Sequence, residues 1–543
     1  MVFALPKPST DSRLRDIEKE IDSFYKSNGL LREGLPTATW WLLSVVEDRS
    51  LAPQLRGTLE GPAVLAHVDT INHLLKPAMA WVTSGAIGDS RLNTNLSDVR
   101  YDNAMSLLRL ADTYRVFQAI YTYWSRQLIT LDLHDKTLVP DPGLLRTQPE
   151  YEAYSLLTTP GAGPVEPFSK DLVESIARAV RVDGERFSIR TNPKLILAAL
   201  AELLPRLARE YTLPDHWTFS RYSLANLKLF CGVMTTLSLV RYIARLEAIK
   251  RGCSAMGLRD AIIVCTPNDL IQQAERYVGL HPRTGREILD DLTYGSHGVV
   301  NPDPVLQPFI SLGDERIAFS PHLWSSRASE RNHSVLLNRI PEERSIYERL
   351  TQEKEERMCS RIRSSVAAQT LRTFSGSFSS RTDLPDIDLA LISDREQRCL
   401  LLELKWFIDP ADIRECIEKG EELEKGVRQV SKMVAAILSD PGRAEETLGI
   451  TSDYEILGAV VSFNWIGTAT VQEPTIPIIS LQHLLDKLKV APDFQSVTNW
   501  LNERRYLPIQ GKDFTYEPQR HKIGDWEAEW YGFRLMREDL PDP

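Results

Sequence analysis

Cysteine is scarce in this sequence, and its spacing lacks the pattern that zinc sites require. The 543 residues include six cysteines, and no C-x-x-C pair occurs. Structural zinc sites draw on closely spaced Cys or His ligands, so the sequence gives no support to a zinc finger or ribbon. We instead expect reduced, mostly buried thiols in a cytoplasmic protein. The cysteines are Cys231, Cys253, Cys265, Cys359, Cys399 and Cys416.

Long apolar runs and nucleotide-binding loops are also missing. The most apolar stretch, Leu227 to Ala244, is interrupted by Lys228 and Arg241, and it falls short of the roughly 20 apolar residues that span a bilayer. The first 15 residues have no basic segment followed by an apolar core, so we expect neither a signal peptide nor membrane association. The pattern G-x-x-x-x-G-K-[ST] does not occur, which argues against a built-in motor ATPase.

The charge balance is acidic. There are 64 Lys and Arg against 74 Asp and Glu, which gives a net charge of −10. This balance argues against a protein that coats nucleic acid through bulk charge, although a local basic groove remains compatible with it. Hydrophobic residues make up 43% of the chain and charged residues 25%, which is typical of a folded protein and excludes wholesale disorder or a fibre.

Proline and glycine suggest how the chain divides. Its length gives room for three or four domains, and residues 140–168 contain six prolines and three glycines. The predicted organisation is a helical domain (1–140), a Pro/Gly-rich linker or loop (141–168), a helix-rich middle domain with a short hairpin (169–335), an α/β domain (336–495) and an aromatic-rich tail (496–543). In the tail, aromatic residues near basic ones would either stack on unpaired bases or, as we favour, pack onto the body of the protein.

The α/β domain is predicted from its change in periodicity. A charged helix is followed by two strands, a second helix with an apolar stripe, and further strands. This order is typical of a mixed central sheet flanked by helices. The predicted elements are a helix over Glu342–Thr370, strands over Ile387–Ile392 and Cys399–Trp406, a helix over Ile413–Leu438, strands over Ile456–Trp465 and Thr475–Ile479, and a helix over Leu481–Leu488.

The most informative residues lie on the two central strands of this region. Asp388 begins one apolar strand and Glu403 ends the next, 403 − 388 = 15 residues later, so a hairpin would place them side by side. Glu403 and Lys405 are two residues apart on a strand and project to the same face. Charged groups on such an apolar pair of strands lower the stability of the fold unless a partner such as a bound cation compensates their charge. Carboxylate and carbonyl oxygens are ligands for Mg²⁺ and, to a lesser degree, Mn²⁺.

This pattern resembles the PD-(D/E)XK nuclease superfamily. The resemblance covers about residues 342–490 and rests on Asp388 followed by Glu403-Leu404-Lys405 within the strand, turn, strand and helix order. It implies a restriction-endonuclease-like fold and Mg²⁺-dependent hydrolysis of phosphodiester bonds. Asp388, Glu403 and the carbonyl of Leu404 would be metal ligands, and Lys405 would be catalytic. Asp386 remains an alternative to Asp388 as the ligand.

Further site residues follow from the same resemblance. Many members add an acidic residue from the first helix, and among Glu348, Glu353, Glu355 and Glu356 we choose Glu355 because it shares a helix face with apolar residues. Many also place Gln or Lys on the helix after the second strand, where Gln429 and Lys425 are candidates. Between residues 361 and 382 there is no acidic residue, so this stretch is predicted to bind phosphates. Its arginines are Arg361, Arg363, Arg372 and Arg381.

The function expected from these residues is that of a metal-dependent nuclease, with DNA favoured over RNA because most of the superfamily cuts DNA. The layout suggests a prokaryotic defence or restriction-type effector whose helical region gates cleavage, with a homo-oligomer or an activating protein as partner. Two alternatives stay open. The α/β domain would be a catalytically silent nucleic-acid-binding or assembly module, or the helical portion would be the functional centre and cleavage its output.

Overall fold

A computed structural model describes residues 8–537 apart from eleven short gaps. The gaps are residues 58–61, 159–167, 211–212, 254–259, 326–328, 367–369, 379–383, 408–409, 411–412, 469–470 and 472–474. The chain forms two compact units, each built from two separate stretches. Unit 1 comprises residues 1–115 and 162–349, and unit 2 comprises residues 116–161 and 350–543.

Helices predominate in both stretches of unit 1, whereas most strands lie in unit 2. The helices are α1 Pro8–Ile21, α2 Leu35–Leu55, α3 Pro62–Gly85, α4 Asp98–Ser125, α5 Pro142–Thr158, α6 Lys170–Ala179, α7 Pro193–Glu210, α8 Leu224–Lys250, α9 Pro267–Val278, α10 Pro282–Asp291, α11 Pro321–Ser325, α12 Ser329–Arg339, α13 Pro341–Val366, α14 Ile413–Ser439, α15 Pro441–Leu448, α16 Leu481–Val490 and α17 Phe494–Asn502. The strands are β1 Leu131–His134, β2 Thr137–Pro140, β3 Val180–Asp183, β4 Arg186–Ile189, β5 Ile263–Cys265, β6 Ile310–Gly313, β7 Arg316–Phe319, β8 Arg372–Gly376, β9 Ile387–Ser393, β10 Arg398–Lys405, β11 Glu455–Ser462, β12 Ile478–Ser480, β13 Phe514–Ile523 and β14 Trp526–Leu535.

Unit 1 is built around buried helices. Trp40 and Trp41 on α2 are fully buried, and the predicted hairpin is present as the antiparallel pair β6–β7.

Helix α8 is the one described helix that is long and apolar enough to cross a membrane by length and composition, but most of its apolar window is buried inside the protein. That placement is typical of the core helix of a soluble protein. All six cysteines are free thiols, as predicted, but only Cys231, Cys253 and Cys399 are buried and the other three are partly exposed.

The main sheet of unit 2 has the strand order β12-β11-β10-β9-β8. Strands β10, β11 and β12 run parallel, whereas β9 and β8 are antiparallel to their neighbours. Helix α14 connects β10 to β11 and packs on both. Because β10 is buried from Cys399 to Leu404, its continuous apolar run is that of a central strand covered on both faces. The predicted mixed α/β class is confirmed at this level.

A second sheet of unit 2 has the order β1-β2-β14-β13. Its long hairpin β13–β14 comes from the segment that the sequence marks only as an aromatic-rich tail. In this segment Trp500, Tyr506 and Phe514 are each at most 3% exposed, so these rings pack the tail onto unit 2 and are not free to stack on bases. The hairpin β1–β2 likewise lies inside the stretch 1–140 that is predicted as helical.

Residues 142–158 form helix α5, in contrast to the linker or loop predicted over residues 141–168. Pro142 begins the helix, where a proline is tolerated because its missing N–H would have no partner there. The far end of the helix is anchored in the core of unit 2. Tyr154 is fully buried, and its hydroxyl donates to Ser480 Oγ at 3.1 Å and accepts from the Ser480 N–H at 3.2 Å. The segment is therefore part of unit 2.

Candidate active site

The register of β9 and β10 brings Asp388 and Glu403 together. Leu389 pairs with Leu402, so the antiparallel register continues to Asp388 opposite Glu403, and side chains opposite each other lie on the same face. The Leu404 N–H donates to Asp388 Oδ2 at 2.8 Å, which fixes this carboxylate at the end of β10. Asp386 is exposed and outside the strand, so the geometry favours Asp388 as the site residue.

Glu403 and Lys405 form an ion pair on the same face of β10. Lys405 Nζ lies 2.5 Å from Glu403 Oε1, and the two side chains are only 18% and 7% exposed. Burial raises the pKa of Glu403 to about 7, and the negative charge of Asp388 adds to this effect, while Lys405 opposes it. Burial also raises the pKa of Asp388. One ammonium group therefore does not compensate the buried Glu403 carboxylate and the half-buried Asp388 carboxylate.

A cleft of about 440 Å³ opens beside Asp388, between α13 and the strand ends, and Glu403 and Lys405 are not among its lining residues. Its lining includes Glu355, Cys359, Arg363, Asp388 and Leu404. Burial and, as a smaller effect, the negative charge of Asp388 raise the pKa of Glu355. This carboxylate at the rim of the cleft therefore interacts electrostatically with Asp388. Glu355, which the sequence predicts as the acidic site residue of the first helix, lines the same cleft as Asp388.

Strand β8 supports the cleft on the side of Asp388. Arg363 Nη2 donates to Ser375 Oγ at 2.6 Å, and Ser375 Oγ donates to the Asp388 carbonyl oxygen, also at 2.6 Å. Cys359 Sγ contacts the same carbonyl at 3.5 Å. Helix α13 and strand β8 together hold the backbone of Asp388. Sequence patterns did not identify Ser375, because β8 is short and polar and shows no alternation of apolar residues.

Helix α14 covers the Glu403–Lys405 pair through Gly426. A Cβ atom at position 426 would lie 3.1 Å from Lys405 Cε and 3.4 Å from Glu403 Cγ, so glycine leaves the room that this pair occupies. Gln429 follows one turn later, and its Oε1 is buried without a hydrogen-bond partner among the described residues. Ser462 pairs with Lys405 across β10 and β11, and its buried hydroxyl also has no hydrogen-bond partner among the described residues.

These observations test whether the residues fit a divalent cation. The two strand carboxylates carry excess negative charge, and Gln429 and Ser462 are buried polar groups that lack partners among the described residues. In the described part of the chain no three His, Cys, Asp or Glu side chains converge as a preformed metal site. Mg²⁺ does not need such a cage, because it keeps several waters and binds through one or two carboxylates plus substrate phosphate. The donor set of Asp388, Glu403 and the Leu404 carbonyl fits this type of binding.

The arginines predicted to bind phosphate separate into different roles. Arg363 lines the cleft, whereas Arg361, two residues earlier on α13, lines a different cleft, where its Nη2 donates to Gln482 at 2.9 Å. Arg372 is structural instead, because it donates to Asp394 at 2.7 and 2.6 Å and to the Leu448 carbonyl at 3.0 Å. Arg381 lies outside the described residues. Lys425 is exposed on α14, and no described contact joins it to the carboxylates.

Replacing Gly426 by alanine is expected to reduce the activity of the site without loss of stability. Alanine is favoured over glycine in a helix by about 1 kcal/mol, but the added methyl group displaces Lys405. At this distance the lysine has to give way by a few tenths of an ångström. Because a shift of about 1 Å in a catalytic group costs on the order of 10²-fold in rate, we expect the cleavage activity predicted from the sequence to fall severalfold, up to about tenfold, while the melting temperature stays equal or rises. Cleavage kinetics and thermal melts of both proteins measure this.

Gly442→Ala on α15 is the matched control, since a Cβ atom there meets only Asp440 Oδ1 at 3.9 Å. It should leave cleavage unchanged. Equal activity of Gly426→Ala and the unmodified protein would contradict the role given to this close contact.

The function of this chain has to be inferred from its own groups. Asp388, Glu403 and Lys405 provide a half-buried carboxylate, a buried carboxylate and one ammonium group at one end of a mixed sheet, and Glu355 adds a carboxylate at the rim of the cleft. Comparisons of the chain with protein-family models, with curated proteins and with solved structures find no match.

Proposed function

We propose that unit 2 is a Mg²⁺-dependent nuclease of the PD-(D/E)XK type with a restriction-endonuclease-like fold. The observation that carries the proposal is the carboxylate pair of half-buried Asp388 and buried Glu403, undercompensated in charge, with Lys405 beside Glu403 and an open cleft lined by Asp388. Structural carboxylates in a sheet normally have enough partners, since an unpaired buried charge is costly. A carboxylate pair that retains uncompensated charge at the mouth of a cleft is suited to bind a cation and, through it, an anionic substrate.

The proposed reaction is the attack of water on a phosphodiester. Asp388, Glu403 and the Leu404 carbonyl would hold Mg²⁺, which supplies Lewis-acid activation of the phosphate and of a bound water. Lys405 would donate hydrogen bonds to the attacking water and to the charge that develops on the phosphate. Gln429 Oε1 would accept a hydrogen bond from the same water. In-line attack breaks one P–O bond and, as in the superfamily, leaves a 5′-phosphate and a 3′-hydroxyl.

We propose DNA as the substrate, by analogy with most PD-(D/E)XK enzymes. The protein would act as a cytoplasmic defence or restriction-type endonuclease whose helix-rich unit 1 gates cleavage, alone, as a homo-oligomer or with an activating protein. This assignment of unit 1 rests on fold-level analogy, and the cleft of unit 2 is the part argued from chemistry.

The test is a cleavage assay with the full chain and Mg²⁺ on supercoiled plasmid, linear duplex, single-stranded DNA and RNA. We expect DNA to be cut, EDTA to abolish cutting, and Mn²⁺ to restore it. Asp388→Asn should be inactive under all conditions, whereas Asp386→Asn should retain activity. Absence of cleavage on every substrate together with absence of Mg²⁺ binding by calorimetry would refute the enzyme and favour a silent nucleic-acid-binding module.

A further inference from the structure

A second cleft lies beside the first on the same helix. It has a volume of about 480 Å³ and runs between α13 and α16 of unit 2. Leu485, which is 5% exposed, forms its floor. Polar and basic side chains form the walls. They are Ser360, Arg361, Ser364, Ser365, Gln482 and Lys489.

The two clefts are neighbours along α13. Ser360 lines both of them, so the boundary is a single serine. Arg361 follows Glu355 by six residues, which is about 9 Å along a helix with a rise of 1.5 Å per residue. Phosphates of one strand are spaced about 3.4 Å apart along a duplex axis. The basic cleft is therefore about three phosphates away from the carboxylate site.

The charges in the second cleft change sign relative to the first. The catalytic cleft is lined by three carboxylates (Glu355, Glu356 and Asp388) and one cation, Arg363, so its net charge is negative, whereas both charged residues that line the second cleft are cations. Lys489 Nζ lies 3.2 Å from Asp486 Oδ1, and its side chain is 59% exposed. An exposed ion pair of this kind is worth little, so the ammonium group is easily redirected to a stronger anion.

The polar walls offer further hydrogen-bond donors. The Ser365 hydroxyl is buried and has no partner among the described residues. Gln482 Oε1 accepts from Arg361 at 2.9 Å, while its Nε2 donates to Asp486 at 2.9 Å. Asp486 is the acidic group that an incoming anion must approach, and both of its described partners are side chains of this cleft. Hydroxyl, amide and cationic donors around one cleft suit the oxygens of a phosphate backbone.

We propose that this cleft, lined by Arg361, Lys489 and Ser365, binds the sugar-phosphate backbone of the substrate about three nucleotides from the scissile bond. The inference rests on the nuclease proposed above and adds the path of the bound strand, which leaves the carboxylate site across Ser360 towards α16. The site contacts backbone rather than bases, so it contributes affinity and direction but no sequence preference. Lys489, which sequence patterns did not single out, becomes a substrate-binding residue.

The test is binding of short labelled nucleic acids to the full chain in EDTA, where no cleavage occurs, at about 50 to 200 mM salt. The variant Arg361→Gln/Lys489→Gln removes both charges but keeps the stems and hydrogen-bonding ends. For duplex DNA we expect about tenfold weaker binding. The negative slope of log affinity against log salt should become shallower by about 1.8, which is about 0.9 for each lost phosphate contact. For single strands the slope should fall by about 1.4, so duplex, single-stranded DNA and RNA arms identify the polymer.

Controls separate this inference from the nuclease itself. Lys170→Gln/Arg283→Gln removes the same two charge types at side chains that are 89% and 83% exposed in unit 1, and it should leave binding unchanged. Lys489→Glu alone, at an exposed position, should weaken binding further than Lys489→Gln. Unchanged affinity and salt slope in the Arg361/Lys489 variants would overturn the inference while Lys405-dependent cleavage still upheld the nuclease. A failure of the unmodified protein to bind any nucleic acid would overturn the inference directly.

Discussion

Replacing Glu403 by glutamine is expected to reduce cleavage strongly and, at the same time, to make the protein more stable above pH 7. The loss of activity follows because glutamine removes the charged partner of Lys405, which is also one of the two carboxylates proposed to hold the cation. Catalytic groups of this kind contribute on the order of 10² to 10⁴ in rate. Cleavage should therefore fall by at least about 100-fold, which an assay that covers about four orders of magnitude can measure over the whole expected range.

The gain in stability follows from the pKa of Glu403. The ordinary value for glutamate is 4.5, and the folded protein raises it to about 7. The folded state thus binds the proton more tightly than the unfolded state, and the free energy of unfolding falls as pH rises from about 4.5 to 7. Above pH 7 the penalty is at most about 3 kcal/mol, since one pKa unit corresponds to 1.36 kcal/mol. Glutamine cannot ionise and removes this penalty.

Denaturant unfolding in EDTA at about pH 8 and pH 4.5 measures the effect. Glu403→Gln should exceed the unmodified protein by up to about 3 kcal/mol at the higher pH and match it at the lower pH. Glu421→Gln is the control, because it is the same exchange on α14 at a side chain that is 65% exposed. A lower stability of Glu403→Gln at pH 8 would show that Lys405 compensates the site fully, against the charge balance proposed above.

Mg²⁺ is expected to stabilise the protein, and its affinity should fall as the pH is lowered below about 7. A ligand that binds only the folded state stabilises it by about 2.7 kcal/mol at one hundred times its dissociation constant. Binding to Glu403 requires the carboxylate, so below its pKa of about 7 each pH unit should cost up to about tenfold in affinity. Asp388→Asn/Glu403→Gln should show no Mg²⁺-dependent rise in melting temperature.

Calorimetry in two buffers with different ionisation enthalpies tests the proton linkage. Near pH 6 we expect close to one proton to be released for each Mg²⁺ bound, and near pH 8 very few. Glu355→Gln serves as the comparison, since it removes a carboxylate at the rim but leaves both strand carboxylates in place, and it should retain the proton release. Binding without any dependence on pH would place the cation away from Glu403.

The central strands and the position of the candidate site could be predicted from the sequence because both depend on local patterns. Continuous apolar runs defined β9 and β10, and the strand period of two placed Glu403 and Lys405 on one face. The order of helices and strands then predicted a mixed sheet. These inferences needed no knowledge of which distant segments meet.

Features that depend on distant contacts could not be predicted in this way. Residues 142–158, at the start of the Pro/Gly-rich stretch, form α5, and its Tyr154 contacts Ser480, more than 300 positions away. Strand β8 forms by pairing with β9 and carries little apolar periodicity of its own. The close approach at Gly426 depends on which face of α14 packs on β10, and a glycine in a helical pattern does not reveal it.

The two-part composition of each unit constrains how this protein can be divided. A fragment that begins near residue 336 would contain the carboxylate site but lack β2, which pairs with β14, and α5, whose Tyr154 fills the core beside Ser480. A single cut in the chain therefore cannot release unit 2 intact. An autonomous catalytic module would have to combine residues 116–161 with residues 350–543, as two co-expressed pieces or as a rearranged single chain. Loss of unit 1 by simple truncation, whether by proteolysis or by gene shortening, would cost unit 2 part of its own framework.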